Sequence, residues 1–120
     1  MALASGSRTT VEIMDETAIA SQGMGLLQGV AQGSVEPARV IIMKYEPEEP
    51  VDGPALGLVG KGVTFATGGP SIKPSAATDR ITHDLAGCAA VLRPLRATAR
   101  LHPPAPCLAT VTAAAASPAR

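Results

Sequence analysis

The stretch LGLVGKGVTFATGGPSIKP, residues 56–74, decides the predicted fold. Residues 55–60, which include the first five residues of this stretch, form an apolar segment. Such a segment is typical of a strand that is buried on both faces, so we expect it to be central in its sheet. From Lys61 to about Thr78 the chain is rich in glycine, which predicts a loop. The sequence therefore places a loop at the carboxyl end of a strand, where open α/β sheets collect ligands.

Two further elements follow this loop. A helical pattern runs from about residue 79 to 101, and Cys107 to Thr112 predicts another strand. The apolar positions of the predicted helix recur at intervals of three and four residues: Ile81, Leu85, Ala89 and Leu92. Strand, loop, helix and strand in this order form a βαβ unit, so the sheet should be at least partly parallel.

Upstream of the loop the elements are shorter. Val11 to Ile13 predicts a short strand, and Asp15 is a suitable N-cap for a helix ending near Ser21. Four glycines between residues 23 and 34 suggest close backbone packing or a loosely wound helix. The β-branched run from Arg39 to Tyr45 is the clearest strand, and the acidic, proline-rich stretch 46–54 predicts a solvent-facing loop.

These elements predict an α/β fold with an incomplete βαβ-type layered sheet. We expect a disordered lead-in at 1–10, one folded unit at 11–112 and a frayed low-complexity tail at 113–120. Tyr45 and Phe65 are the only aromatic residues, so the apolar content is largely alanine, valine, leucine and isoleucine. Because alanine buries little apolar area, we expect marginal stability.

Charge and hydropathy exclude several classes of partner. The formal net charge is zero, with 10 basic and 10 acidic residues, which argues against a nucleic-acid partner. We interpret the arginines from Arg80 onward as a solvated helix face. No apolar run is long enough to span a membrane, and no signal peptide is recognisable, so we predict a cytoplasmic protein without a membrane partner.

The cysteines give no disulfide framework. Cys88 and Cys107 are far apart in the sequence, and Cys88 lies among small residues, as a small buried apolar side chain would. A zinc site that combines both thiols with His102 is an alternative, although the spacing matches no standard finger.

Three ionisable residues belong to the predicted ligand loop: Lys61, Lys73 and Asp84. Two lysines among glycines suit an anion such as phosphate, so an anion-binding module remains open. Neither nucleotide-binding pattern, GxxxxGKS/T or GxGxxG, is present. The other interpretation is that both lysines are solvated and that the aspartate starts a helix.

The same stretch resembles the leucyl (cytosol) aminopeptidase family, whose pattern is VGKGxTFDxGGxxxKP. Residues 59–74 follow this pattern with one important exception, at Ala66. The likeness continues upstream in the segment 23–34 and downstream in the segment 83–92, and covers about residues 11–112. The resemblance implies part of that family's catalytic domain and a peptide substrate.

The family's chemistry assigns a role to each residue of the loop. Its members hold two divalent metals, manganese or zinc among them, and activate a bridging water to remove the N-terminal amino acid of a peptide. By resemblance, Lys61 and Asp84 are metal ligands, with the lysine neutral so that its lone pair is available. Lys73 matches the catalytic lysine, which stays charged and stabilises the oxyanion.

One ligand position is changed. The family has an aspartate that contacts both metals five residues after the first lysine, where this chain has Ala66. The family's later ligands, within Asn-Thr-Asp-Ala-Glu-Gly-Arg, are not in this sequence. We therefore expect weak or absent metal binding and little or no activity from this chain, which resembles a truncated copy.

The alternative to an enzyme is a non-enzymatic fragment. Such a fragment would associate with itself or bind an intact aminopeptidase, and the family's hexamers imply a possible homo-oligomer.

Overall fold

The computed structural model describes residues 8–66 and 85–116. These residues form four strands and three helices, in the order β1 Thr9–Met14, α1 Glu16–Ser21, α2 Gly25–Ala31, β2 Arg39–Tyr45, β3 Leu56–Ala66, α3 Ala86–Leu101 and β4 Cys107–Ala116. The fold is mixed α/β, as predicted.

The strands form one sheet in the order β1-β2-β4-β3. β2 pairs antiparallel with both β1 and β4, whereas β3 and β4 run parallel. The parallel pair is joined through α3, so the predicted βαβ unit is confirmed. The last strand along the described chain therefore lies inside the sheet.

Helices cover both faces of the sheet. On one face Val91 and Leu95 of α3 pack against Met43, Tyr45 and Val111 of the sheet. On the other face the buried side chains include Ile19 of α1, Val40 of β2 and Ala114 of β4. Leu27 and Ala31 of α2 pack against this second cluster. The core thus consists of two small clusters separated by the sheet.

The first helix begins as predicted. The backbone amide of Ala18 donates to Oδ1 of Asp15 at 2.9 Å, so Asp15 is the N-cap of α1. Of the two alternatives for the glycines that follow, a helix is present at Gly25–Ala31, whereas close packing is wrong, because a Cβ added at Gly23, Gly25 or Gly29 would meet nothing within 4 Å. Gly23 instead has φ 68°, a left-handed conformation that suits the turn between α1 and α2.

β2 has the predicted bounds, and residues 46–54 are solvent-facing, with only Pro47 partly buried. The prediction of an exposed acidic loop is therefore confirmed. At its start, Lys44 and Glu46 form a surface ion pair at 2.7 Å.

The predicted ends of β3 and β4 were too early. β3 continues to Ala66, so Lys61 lies within a strand and not at the start of a loop. β4 continues to Ala116, so residues 113–116 are paired and not frayed. The two extensions have one cause, because the added residues of each strand are the hydrogen-bonding partners of the other.

Two other strand predictions change. β1 begins at Thr9, so Thr9 and Thr10 of the predicted lead-in belong to a strand. β3 is not central: in the part of the chain that the structure describes it is an edge strand, since β4 inserts between it and β2. Its apolar sequence reflects contact with α3 on one face.

α3 follows the predicted apolar pattern only in part, because Leu92 packs against the cluster on its face of the sheet. Leu85 and Ala89 are exposed, whereas Val91, Leu95 and Ala99 are buried. Pro94 lies within the helix without ending it. The three described arginines of α3, Arg93, Arg96 and Arg100, are exposed, which confirms the solvated face. Positions 79–84 of the predicted helix lie outside the described residues.

Candidate functional site

Lys61 occupies the sixth position of β3, between two buried glycines. Gly60 and Gly62 face α3, whereas Lys61 alternates with them and lies on the face that carries α1 and α2. Its side chain is exposed there. The strand therefore presents a lysine on one face while the opposite face is closed by a helix.

The helix approaches this segment very closely. A Cβ on Gly60 would lie 2.8 Å from the carbonyl oxygen of Gly87 and 2.8 Å from Cγ2 of Val91. A Cβ on Gly62 would lie 2.6 Å from the carbonyl oxygen of Thr112. Neither distance is compatible with a side chain, so both positions require glycine.

Gly87 completes this contact from the helix side. A Cβ there would lie 3.2 Å from the backbone nitrogen of Lys61 and 3.3 Å from its carbonyl oxygen. The first turn of α3 is thus packed on the peptide groups of Lys61. The space beside Gly60 and Gly62 is filled by α3 and β4 and is not open to a ligand.

Ala66, the last residue of β3, lies opposite Ala116 in the parallel ladder. The ladder is irregular before it, because Val63 pairs with Ala114 and Phe65 pairs with the next residue, Ala115. Thr64 is therefore an extra residue, and the odd spacing of Lys61 and Ala66 could have indicated it. Sequence reasoning missed this irregularity.

The described residues do not fit a two-metal site by themselves. They contain no group of three His, Cys, Asp or Glu side chains that could hold a metal ion. Lys61 supplies one nitrogen, whereas the methyl group of Ala66 cannot coordinate a cation. The predicted residues Lys73 and Asp84 lie outside the described residues, and Asp84 directly precedes Leu85, the N-cap of α3.

The alternative zinc site is not assembled. Cys88, Cys107 and His102 are all described, yet they form no metal-binding group. Cys107 is 2% exposed in the α3-side cluster, and burial raises the pKa of its thiol. Cys88 is half-buried, with its Cβ close to Gly62. Both thiols are packing groups of the α3 contact.

One cavity lies away from Lys61. It has a volume of about 480 Å³ and is lined by residues of β2, the acidic loop and the segment before β4, among them Tyr45, Glu48, Glu49, His102 and Pro104. The hydroxyl of Tyr45, one of the lining residues, donates to the carbonyl oxygen of Pro103 at 3.1 Å. This cavity is beside the first residues of β4, whereas Lys61 pairs farther along the strand.

No described helix is long and apolar enough to cross a membrane.

Comparisons with known proteins agree with the strand and helix arrangement. A family model described as "Cytosol aminopeptidase family, catalytic domain" matches residues 1–120. A probable cytosol aminopeptidase of Solibacter usitatus is 46% identical over 102 residues, which are 85% of this chain and 21% of that protein. One from Koribacter versatilis is 48% identical over 91 residues, or 76% of this chain and 18% of that protein.

Solved structures show the same fold. The bottromycin maturation enzyme BotP in complex with Mn superposes with a TM-score of 0.86 at 33% identity, covering 98% of this chain and 25% of that one. Leucyl aminopeptidase from Trypanosoma cruzi gives a TM-score of 0.84 at 26% identity, covering 93% of this chain and 22% of that one.

The chain spans about a fifth of the length of the curated relatives that it matches. With its parallel β3-α3-β4 unit and its lysine between two packed glycines, the chain belongs to the cytosol aminopeptidase family.

Proposed function

We propose that this chain is part of the catalytic domain of a metal-dependent aminopeptidase, which removes N-terminal residues from peptides, and that its metal site is impaired. The observation that carries the proposal is the position of Lys61. The glycines before and after it on the strand, Gly60 and Gly62, are packed against α3 and β4, so the backbone on each side of the lysine in the sequence is held in place. The high identity to cytosol aminopeptidases supports the same reaction class.

Lys61 and Asp84 are the proposed metal ligands. Gly87, which follows Asp84 by three residues in the sequence, packs on the peptide groups of Lys61. An amine ligand must be unprotonated, whereas a carboxylate ligand binds as the anion. Manganese or zinc is the metal that we propose, and it would activate a water for attack on the peptide.

Lys73 is the proposed catalytic residue. A lysine that remains charged would stabilise the negative charge that develops on the oxygen of the scissile carbonyl. Because this role depends on charge and position, a neutral side chain at residue 73 should remove it.

Impairment follows from Ala66. An aspartate at this position would add a carboxylate on the face of the sheet that carries Lys61, whereas alanine adds none. Two protein ligands leave a divalent ion largely hydrated and weakly held. We therefore propose weak metal binding and negligible hydrolysis by the 120-residue polypeptide.

The decisive experiment combines a binding and an activity measurement. Titration with Mn²⁺, followed by the electron paramagnetic resonance of the free ion, should give weak binding for the wild type. Ala66→Asp should bind at least about tenfold more tightly, which is roughly 1.4 kcal/mol. Lys61→Ala in that background should lose the gain, whereas Lys44→Ala, at an exposed surface pair, should keep it.

The activity measurement uses leucine p-nitroanilide with added Mn²⁺ or Zn²⁺. We expect no hydrolysis above the blank from the wild-type chain. Turnover that disappears in Lys73→Ala would contradict impairment, and an Ala66→Asp variant with unchanged Mn²⁺ affinity would contradict the ligand assignment.

A non-enzymatic role is the second candidate, because β3 is an edge strand among the described residues. Its exposed apolar side chains include Val59, which is 82% exposed, and Leu56, which is 54% exposed. An edge of this kind pairs readily with another strand. The partner would be a second copy of this chain or an intact aminopeptidase.

A further inference from the structure

Alternation along a strand poses a problem for the candidate site. Successive side chains of a β-strand point to opposite faces, so residues separated by an odd number of positions lie on different faces. Lys61 and Ala66 are five positions apart on β3. In a regular strand a side chain at position 66 would therefore face α3, away from Lys61.

The register of the ladder reverses this outcome. Lys61 lies opposite Thr112 and Val63 opposite Ala114, which belongs to the cluster beneath α1 and α2. β3 then uses two residues where β4 uses one, and Ala66 lies opposite Ala116. Since Ala116 and Ala114 share a face, Ala66 lies on the same face as Lys61. A β-bulge is the standard way to insert one such residue.

Thr64 is the inserted residue, and its side chain makes a hydrogen bond across the ladder. Its hydroxyl donates to the carbonyl oxygen of Ala114 at 3.3 Å. Ala114 is the partner of Val63, so the bond ties the extra residue to the position where the ladder changes step. Ala114 is 5% exposed, which shields this region from competing water.

We propose that Thr64 is a positioning residue: the bulge that it forms, held by its hydroxyl bond to Ala114, turns position 66 to the face of Lys61. The importance of this facing for metal binding rests on the proposed function. The side of the sheet on which residue 66 lies does not depend on the proposed function, because the register of the β3–β4 ladder determines it. One hydrogen bond changes an equilibrium by roughly fivefold on balance. This is enough to favour the bulged ladder over a regular one for Phe65 and Ala66, the last two residues of β3.

The direct test is the nuclear Overhauser effect between the methyl groups of Ala66 and Ala116. The wild type and Thr64→Ser, which keeps the hydroxyl, should show it. Thr64→Val keeps nearly the same side-chain shape without the hydroxyl. In this variant the intensity of the Ala66–Ala116 nuclear Overhauser effect should fall by about fivefold or more. Undiminished intensity in Thr64→Val would overturn the role of the hydroxyl.

Deletion of Thr64 tests the bulge independently of that variant. Without the extra residue, Phe65 follows Val63 in a regular ladder and Ala66 still lies opposite Ala116. The methyl contact should therefore persist in the deletion variant. Its disappearance would overturn the assignment of Thr64 as the inserted residue.

A metal titration separates this inference from the proposed function. Ala66→Asp should gain Mn²⁺ affinity, and Thr64→Val in that background should lose most of the gain while Thr64→Ser keeps it. An unchanged affinity in Ala66→Asp itself contradicts the ligand role, and the methyl contact then still decides the facing. A gain that Thr64→Val leaves intact overturns the positioning role.

Discussion

At the scale of single residues, three glycines determine the structure around Lys61, because they have no side chains. Gly60, Gly62 and Gly87 lie where β3 and the first turn of α3 meet. A Cβ added to Gly60 or Gly62 would lie less than 3.0 Å from a backbone oxygen of a neighbouring element. A Cβ added to Gly87 would lie 3.2 Å from the backbone nitrogen of Lys61, which is also a tight contact. The lysine is therefore held by contacts of its own peptide groups and those of its neighbours.

The effect of a methyl group at this contact can be measured. Gly60→Ala should lower the free energy of unfolding by about 1–3 kcal/mol, because a Cβ at 2.8 Å from the Gly87 carbonyl forces α3 away from β3. Gly57→Ala is the matched control on the same strand, where an added Cβ meets nothing within 4 Å, and should change stability by less than about 0.5 kcal/mol. Urea denaturation measures both, and equal effects would refute the packing argument.

Sequence alone identified Lys61 and Ala66 as the positions of interest but could not place them relative to each other. Their positions followed from a resemblance, whereas their common face depends on Thr64, and the insertion is visible only once β4 is paired beside it. A five-residue interval between two positions expected to share one ligand was the available indication. The sequence shows the glycines beside Lys61, but it does not show that they are in contact with α3 and β4.

At the scale of elements, α3 contains an unfavourable residue. Pro94 lies near the middle of a helix that runs without interruption from Ala86 to Leu101. Proline lacks the amide hydrogen and crowds the preceding turn, so it costs about 3 kcal/mol in a helix interior. The burial of Val91, Leu95 and Ala99 against the sheet offsets this cost.

Replacement of that proline should stabilise the protein. Pro94→Ala should raise the free energy of unfolding by about 1–3 kcal/mol, because it restores a helical hydrogen bond and removes the clash. Pro50→Ala, in the exposed acidic loop, should change stability by less than about 0.5 kcal/mol. The measurement is urea denaturation followed by circular dichroism, and no gain for Pro94→Ala relative to Pro50→Ala would be the contrary result.

The predictability of the elements followed their composition. β2 is rich in β-branched and aromatic side chains, and its predicted bounds agree with the structure. The added residues of β4 are four alanines, which have little preference for a strand, and β3 was ended too early because of its glycines, although Val63, Thr64 and Phe65 favour a strand. The ends of β3 and β4 are strands because the two segments, distant in the sequence, pair with each other.

At the scale of the whole molecule, the described sheet has apolar side chains along one edge. β3 pairs only with β4 among the residues described, and Val59 is 82% exposed on it. Apolar edge segments tend to pair with other chains, and the part of β3 before Lys61 carries no charge. The molecule should therefore associate with itself at high concentration.

A charge on this edge should suppress the association. Val59→Lys should shift the protein towards monomer by about fivefold or more, since an edge lysine opposes strand pairing. Val35→Lys replaces a side chain of similar exposure, 85%, outside any strand, and should leave association unchanged. Sedimentation velocity over a range of concentrations measures both, and a wild type that stays monomeric would count against pairing at this edge.

The α/β class and the βαβ unit could be inferred before the structure, because they depend on periodicity and composition. The strand order could not, since the apolar sequence of β3 suits a central position as well as an edge strand covered by a helix.

The place of β4 between β2 and β3 also has a consequence for biosynthesis. Because the last described strand must enter between two earlier ones, the sheet cannot close until β4 has emerged from the ribosome. Until then the nascent segments of β2 and β3 leave backbone groups available to other chains, as in proteins dominated by distant pairings. Synthesis of this sequence should therefore depend on chaperones more than that of a helical protein of equal size.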